Sequence, residues 1–132
     1  MINDWKKYES VNKRLEHRLT ITKSGYIGFP NKFYEDNRVD NYKYIAIYYS
    51  PSESAVGIRF SNDEQEKGVI KIHHYKDSKG GWVSAKNFFK TNGIDFQSFA
   101  GRYEWNKENP EGIGELFVLK LKLKEVASEA AG

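Results

Sequence analysis

The chain has 132 residues, no cysteine, and 21 basic against 18 acidic side chains, which gives a formal charge of +3. This length suits one ordinary domain, or two small halves that share a core. The absence of cysteine excludes disulfides, thiolate metal sites and cysteine nucleophiles. No stretch reaches eighteen apolar residues and the polar start lacks the apolar core of a signal peptide, so we expect a cytoplasmic protein that does not enter a membrane.

Residues 1–17 are interpreted as a basic N-terminal arm. Asp4 is suited to cap a helix, and Trp5, Tyr8, Asn12 and Leu15 follow at spacings of three and four, which predicts a short amphipathic helix over residues 4–17. Residues 1–23 carry six basic and three acidic groups, which leaves fifteen of each in the remainder. The excess positive charge therefore lies in the arm and the strand that follows it.

Residues 18–62 form the first of two predicted repeats. Apolar and polar residues alternate from Arg18, and Lys23-Ser24-Gly25 supplies the turn of a hairpin. Pro30 stops the second strand and suits the first turn of a helix. The predicted elements of this repeat are strands over 18–22 and 26–29, a helix over 31–37, and strands over 42–49 and 55–60.

Residues 69–124 form the second predicted repeat, after an acidic linker over 61–67. It is predicted to repeat the same order, with Gly93 as a helix stop. Its elements are strands over 69–76 and 82–84, a helix over 85–92, and a closing hairpin of 102–105 with 115–123 around the loop 106–112. Residues 125–132 are small and polar, and we expect a disordered tail.

The two repeats share a segment at an offset of 55 residues, which runs from Gly25 to Asp40 and again from Gly80 to Asp95. Four positions are identical, and three more keep their character, Ile27 with Trp82 among them. Each copy reads as a glycine turn, a short apolar strand and a helix. An internal repeat of this kind predicts two similar halves.

The run Gly25-Tyr26-Ile27-Gly28-Phe29-Pro30 resembles the swapped-hairpin DNA-binding domain of AbrB/SpoVT-type regulators, and Gly80 to Ala85 is a degenerate second copy. Two copies in one chain are similar to the tandem arrangement of MraZ-type proteins. The resemblance implies a mostly β fold with short helices (α+β), in which two swapped-hairpin-like halves close an intramolecular pseudo-dimeric barrel. It also implies a monomer with internal pseudo-two-fold symmetry.

The chain departs from that family where the family contacts DNA. Tyr26 and Gly81 stand in place of the arginine after the glycine, and of the helix positions only Lys90 keeps a positive charge. The resemblance therefore supports the fold more strongly than it supports DNA binding.

Basic residues are the candidate nucleic-acid contacts, because each phosphate that they neutralise adds salt-dependent affinity. The candidates lie in the arm, the second helix and the last strand: Lys6, Lys7, Lys13, Arg14, Arg18, Lys23, Lys90, Lys120, Lys122 and Lys124.

Each group of candidates has an ordinary structural explanation. The arm charges suit a solvated helix face. Lys120, Lys122 and Lys124 alternate with leucines, as on a protected edge strand. Tyr26, Tyr34 or Trp82 would stack on unpaired bases if exposed, although core packing is the favoured explanation for Trp82.

No pattern in the sequence indicates catalysis. His73 and His74 are neighbours in a predicted strand and so point to opposite faces, which prevents them from holding one metal. We expect no enzyme activity, no catalytic residues, no metal and no cofactor. The predicted function is a DNA-binding, regulator-like module that uses electrostatic backbone contacts. The alternative is a protein-interaction or accessory subunit that keeps the scaffold without binding DNA.

Overall fold

The computed structural model describes residues 4–5, 16–77 and 79–123. This part of the chain is mostly β, with two antiparallel sheets of five strands each and two short α-helices, so the predicted α+β class is confirmed. The arm helix was predicted over residues 4–17; of these, 4–5 and 16–17 are described and are not helical, while 6–15 lie outside the described residues, as does the tail over 125–132. No described helix has the length and apolar character needed to cross a membrane.

Sheet A contains the first hairpin of each repeat. Its strand order is β6-β7-β2-β1-β8. The strands are β1 (Leu19–Ile21), β2 (Tyr26–Phe29), β6 (His73–His74), β7 (Gly81–Ser84) and β8 (Gly101–Tyr103).

Sheet B contains the longer strands. Its order is β5-β3-β4-β10-β9. The strands are β3 (Tyr44–Ser50), β4 (Ala55–Ser61), β5 (Ile70–Lys71), β9 (Asn106–Glu108) and β10 (Leu116–Lys120).

Both helices follow a strand of sheet A and end in the same way. They are α1 (Asn31–Asp36) and α2 (Lys86–Thr91), and a 3-10 turn over Val39–Asn41 follows α1. The Asn37 side-chain amide donates to the Phe33 carbonyl at 3.0 Å, and Asn92 donates to the Phe88 carbonyl at 2.9 Å. The repeated asparagine therefore closes the last turn of each helix twice, since its backbone N–H donates to the same carbonyl as its side chain.

The two sheets share one core, which is rich in aromatic rings. Phe33 of α1 is fully buried and contacts Phe29 of sheet A as well as Phe60 and Phe117 of sheet B. In α2 the fully buried ring is Phe89, whereas Phe88, which stands at the position of Phe33 when the repeats are aligned at their offset of 55 residues, is half-buried. The second helix is thus rotated relative to the first.

The chain passes directly between the sheets at two places. Ile72 separates β5 from β6, is buried, and donates its backbone N–H to the Lys43 carbonyl at 2.8 Å. Glu104 and Trp105 separate β8 from β9. At such bends a strand leaves one sheet and joins the other. The result is two sheets with their own edges, which are not closed into the predicted barrel.

Two strand predictions are corrected by these bends. The strand predicted over 69–76 is two short strands in different sheets, so Lys71 and His73 do not share a face. Residues 102–103 do not pair with the last strand; they lie in β8 beside β1. The last hairpin is instead formed by β9, which lies within the predicted loop. The backbone of β9 pairs with that of β10, although the side chains of β9 are polar.

The strands of the two repeats are out of phase by one residue. Ile27 faces the core, but its predicted counterpart Trp82 pairs with Gly28 on the other side of sheet A. The inward residue of β7 is Val83, which pairs with Ile27. Because side chains alternate along a strand, this shift moves the indole out of the core.

Candidate functional site

The outer face of sheet A, which points away from the shared core, carries one cross-strand row of side chains. His73 pairs with Trp82, Trp82 with Gly28, Gly28 with Thr20, and Thr20 with Arg102. Residues directly opposite each other in a ladder point to the same side of the sheet. One continuous surface therefore runs from an aromatic end to a cationic end.

The aromatic end is a stack of three rings, His73, Trp82 and Tyr26, which we call the aromatic stack. His73 lies over Trp82 with ring centroids 4.2 Å apart and planes 16° apart, and Tyr26 lies 4.8 Å from Trp82 at 31°. His73 is exposed and the other two are half-buried. The expectation that Trp82 packs in the core was wrong, since the indole lies on the outer face between the rings of His73 and Tyr26.

Gly28 lies beside the aromatic stack in the middle of β2. A Cβ atom built on Gly28 would have one heavy atom of another strand within 4 Å, the Thr20 Cβ at 3.8 Å. That is an ordinary contact distance. The surface between Trp82 and Thr20 is therefore open above the glycine backbone.

The cationic end holds two arginines that share one carboxylate. Arg18 donates to Glu16 at 2.7 Å and 2.9 Å, and Arg102 lies 3.4 Å from the same carboxylate. The hydrogen bonds from Arg18 lower the pKa of Glu16 to about 2. Glu16 is therefore charged at neutral pH and neutralises part of this end of the face.

Only part of the predicted basic set is described. Lys6, Lys7, Lys13, Arg14 and Lys124 lie outside the described residues. Arg18 lies at the cationic end of the sheet A face, and Lys23 is exposed in the turn that leads to Tyr26. Lys90 is exposed on α2.

The lysines of the last strand lie elsewhere. Lys120 pairs with Ala55 on the outer face of sheet B and sits 3.7 Å from Glu53. Lys122 follows the strand, with its ammonium 5.8 Å from the centre of the Tyr103 ring. Because β10 lies between β4 and β9, it is not the edge strand that alternation with leucine suggested. Lys120 and Arg18 face opposite sides of the molecule.

Tyr34 is not available for stacking. It is 1% exposed, its hydroxyl lies 2.7 Å from His74 Nδ1, and His74 Nε2 lies 2.9 Å from the Tyr42 carbonyl. Since a carbonyl only accepts, Nε2 donates, and in the neutral imidazole Nδ1 then accepts from Tyr34. Burial raises the pKa of Tyr34. The expected opposite orientation of His73 and His74 is confirmed.

Three residues of the sheet A face were not singled out by the sequence: Gly28, Arg102 and Lys86. Lys86 opens α2, and its stem lies against Gly25, next to Tyr26. Lys86 lies beside the first hairpin because β7, which precedes α2 in the chain, pairs with β2. The sequence placed Arg102 in a strand, but nothing in the local sequence indicated that this strand pairs with β1.

The outer face of sheet B is a different kind of surface. Ala55, Leu116 and Val118 are buried there and pack with Tyr48 and Ile113 around a cavity of about 320 Å³. Arg59 on this face donates to the Tyr48 hydroxyl at 3.0 Å and pairs with Glu66. The Arg59 head group thus has two partners within the protein, its Nε is buried without one, and the apolar groups of this face wall the cavity.

The described residues hold no group of three or more metal-ligating side chains that could bind a metal ion. Comparison with known proteins gave no match, whether to a protein-family model, to a curated protein or to a solved structure. The resemblance to AbrB/SpoVT-type domains therefore stays a prediction.

Proposed function

We propose that this chain is a non-enzymatic DNA-binding module that holds a single strand on the outer face of sheet A. The observation that carries this proposal is the aromatic stack of His73, Trp82 and Tyr26 on an open sheet face. Aromatic rings bind unpaired bases by stacking, and this interaction tolerates any base because every base has a flat face.

Cationic groups at both borders supply contacts for phosphates. Arg18 and Arg102 lie at one end of the row, while Lys23 and Lys86 are exposed beside Tyr26. From β6 to β8 the face spans four strand spacings, about 19 Å at ~4.8 Å each.

A single strand fits this arrangement better than a duplex. In a duplex the bases are stacked on one another, so rings on a sheet surface do not reach their flat faces. AbrB/SpoVT-type domains, which this sequence resembles, contact duplex DNA mainly through arginines. At three of those positions this chain has Tyr26, Gly81 and Tyr34. A regulator-like role on duplex DNA therefore rests on the resemblance alone.

The proposal keeps two similar halves within one chain. Strand β2 of the first repeat pairs with β7 of the second, and β4 pairs with β10, so each sheet has a central contact between the repeats. The matched caps of Asn37 and Asn92 also support the repeat. Since both halves are supplied in cis, we expect a monomer, and a sedimentation mass of an obligate dimer would refute this part.

Fluorescence anisotropy with a labelled oligothymidine, at about 50 and 200 mM salt, tests the function. We expect binding that weakens with salt, and binding to a duplex of the same length that is weaker. Trp82→Ala should weaken single-strand binding by about 1–3 kcal/mol, roughly five- to 150-fold, which is the usual contribution of one stacked base.

A matched pair of tyrosines separates stacking from general damage. Tyr26 and Tyr44 are both half-buried on outer sheet faces, one on sheet A and one on sheet B. Tyr26→Ala should weaken binding while Tyr44→Ala leaves it unchanged. Equal losses in both variants, or tight binding by Trp82→Ala, would refute the proposed site.

A protein-interaction or accessory role is the second candidate, and the apolar cavity on the outer face of sheet B favours it. Cavities of this size with apolar walls are typical ligand or side-chain pockets. If the parent protein binds neither single-stranded nor duplex DNA at about 50 mM salt, where phosphate contacts are strong, the DNA proposal falls and this candidate replaces it.

A further inference from the structure

Gly28 has no evident structural reason to be glycine. It occupies the interior of β2, a central strand of sheet A, where glycine is less stable than residues with side chains. Its φ is not positive, so its backbone conformation is open to other residues. A Cβ would meet only the Thr20 Cβ at 3.8 Å.

Neighbouring glycines in sheet A show what a structural reason looks like. Gly25 has a φ of +84° in the hairpin turn, and a Cβ there would lie 2.7 Å from the stem of Lys86. A Cβ on Gly81 would lie 2.9 Å from the His73 carbonyl oxygen, which is backbone and does not yield. Gly28 has neither constraint.

A side chain at position 28 would fill the open surface between Trp82 and Thr20. Tyr26 lies two residues away on the same face, so the opening is bordered by two aromatic rings and a threonine. Glycine inside a strand often marks a place where a ligand approaches the backbone closely.

We infer that Gly28 is the seat of one nucleobase, which lies flat against the β2 backbone beside Trp82 and Tyr26. This inference rests on the proposed function, and it adds where a base sits and what limits its size. The charges favour a nucleic acid over an uncharged flat ligand, because Arg18 and Arg102 border the same face and attract phosphates.

The test compares Gly28→Ala and Gly28→Val with the parent protein. Two readouts are used: the unfolding temperature, and the affinity for oligothymidine and for an abasic oligonucleotide with the same number of phosphates. The abasic strand keeps the charge contacts and lacks the rings, so it reports on the phosphate sites alone.

We expect both variants to unfold at the temperature of the parent or a few degrees higher. Gly28→Val should bind oligothymidine at least tenfold more weakly, Gly28→Ala should show a smaller loss, and the abasic strand should bind all three proteins equally. This pattern would support a seat for a base that the valine side chain fills.

Other results overturn the inference in distinguishable ways. If the parent binds oligothymidine and Gly28→Val binds equally well, no base sits at Gly28, although the proposed function survives. If both variants unfold at much lower temperatures, glycine is required by the fold and the inference is wrong. If the parent binds no oligonucleotide, the proposed function and the inference fall together.

Discussion

The outer faces of the two sheets have the same residue type at their centres but differ in what lies above it. Each has a glycine in the middle of a central strand, Gly28 in β2 and Gly57 in β4. Above Gly57 the space is occupied, since a Cβ there would lie 2.9 Å from Leu116 Cδ1. Above Gly28 it is open. At Gly57 the glycine lets the Leu116 side chain pack against the strand beside the cavity of sheet B, whereas at Gly28 no side chain covers the strand.

The charges follow the same division. On sheet B, Arg59 pairs with Glu66 and Lys120 lies near Glu53, so each cation has an anion of its own. On sheet A, two arginines share the carboxylate of Glu16, and Glu104 also acts on Arg18. The excess positive charge near this face therefore comes from Lys23 and Lys86, which are exposed near Tyr26. This charge adds to the aromatic stack, which carries the proposal for sheet A.

The largest expected effect on stability comes from the core between the two sheets. Phe33→Ala should lower the free energy of unfolding by about 3–5 kcal/mol, because it removes a fully buried ring and leaves a cavity. Phe88→Ala should cost clearly less, since that ring is half-buried. Chemical denaturation measures both, and equal losses would show that the two helices cover the core alike.

Gly57→Val should have the next largest effect on stability, and with Gly28→Val it tests directly whether the two outer faces differ. The new side chain must displace the end of the Leu116 side chain, which lines the cavity and has room to move, so we expect a cost of about 1 kcal/mol, the low end for overpacking. Gly28→Val should instead leave stability unchanged or raise it by about 0.5–1 kcal/mol. If both substitutions destabilise equally, the outer faces do not differ in the way described.

The same regions show which parts of the structure could be predicted from the sequence. Alternation and turn residues predicted the hairpins β1–β2 and β3–β4, and Pro30 correctly marked the start of α1. Trp82 was misplaced because Trp82 and Val83 are both apolar, and only the pairing of β7 with β2 decides which one faces the core.

The missed parts of the candidate site depend on contacts between distant segments. Asn106–Glu108 is polar and reads as a loop, yet it forms β9 because β10 offers a ladder. Arg102 joins the sheet A face only because β8 pairs with β1, some 80 residues earlier along the chain. No local pattern records such a pairing, so these positions could not be assigned from the sequence.

A third prediction sharpens the charge comparison. The double variant Arg18→Ala, Arg102→Ala should reduce the slope of log affinity against log salt for single-stranded DNA by about 0.7, the value for one phosphate contact, because the Glu16 carboxylate offsets one of the two arginines. Lys120→Ala, on the sheet B face, is the matched control and should leave the slope unchanged. The reverse result would move the phosphate contacts to sheet B.

Glu16→Gln should give a smaller effect of opposite sign at neutral pH. Without the carboxylate, Arg18 and Arg102 are free for phosphate, and we expect affinity to rise about fivefold, the equivalent of ~1 kcal/mol for one charge at contact distance in water. A loss of affinity in the anisotropy assay would show instead that Glu16 is needed to hold the arginines in position.

The same residue gives a pH dependence of stability. The pKa of Glu16 is depressed from 4.5 to about 2 in the folded protein, so its contribution is present above pH 4.5 and is lost as the pH falls toward 2. The difference in unfolding free energy between the parent and Glu16→Gln should therefore shrink over that range. A difference that stays constant would contradict the depressed pKa.

The most direct test of the central claim is an NMR titration of the tryptophan indole signals with oligothymidine. Trp82 lies in the aromatic stack, whereas Trp105 lies against Phe33 and Phe117, with its indole N–H donating to the His17 carbonyl at 2.8 Å. The account predicts that the Trp82 signal shifts and saturates, and that it shifts further than the Trp105 signal, which reports on the cationic end. An unmoved Trp82 signal at saturating oligonucleotide would contradict it.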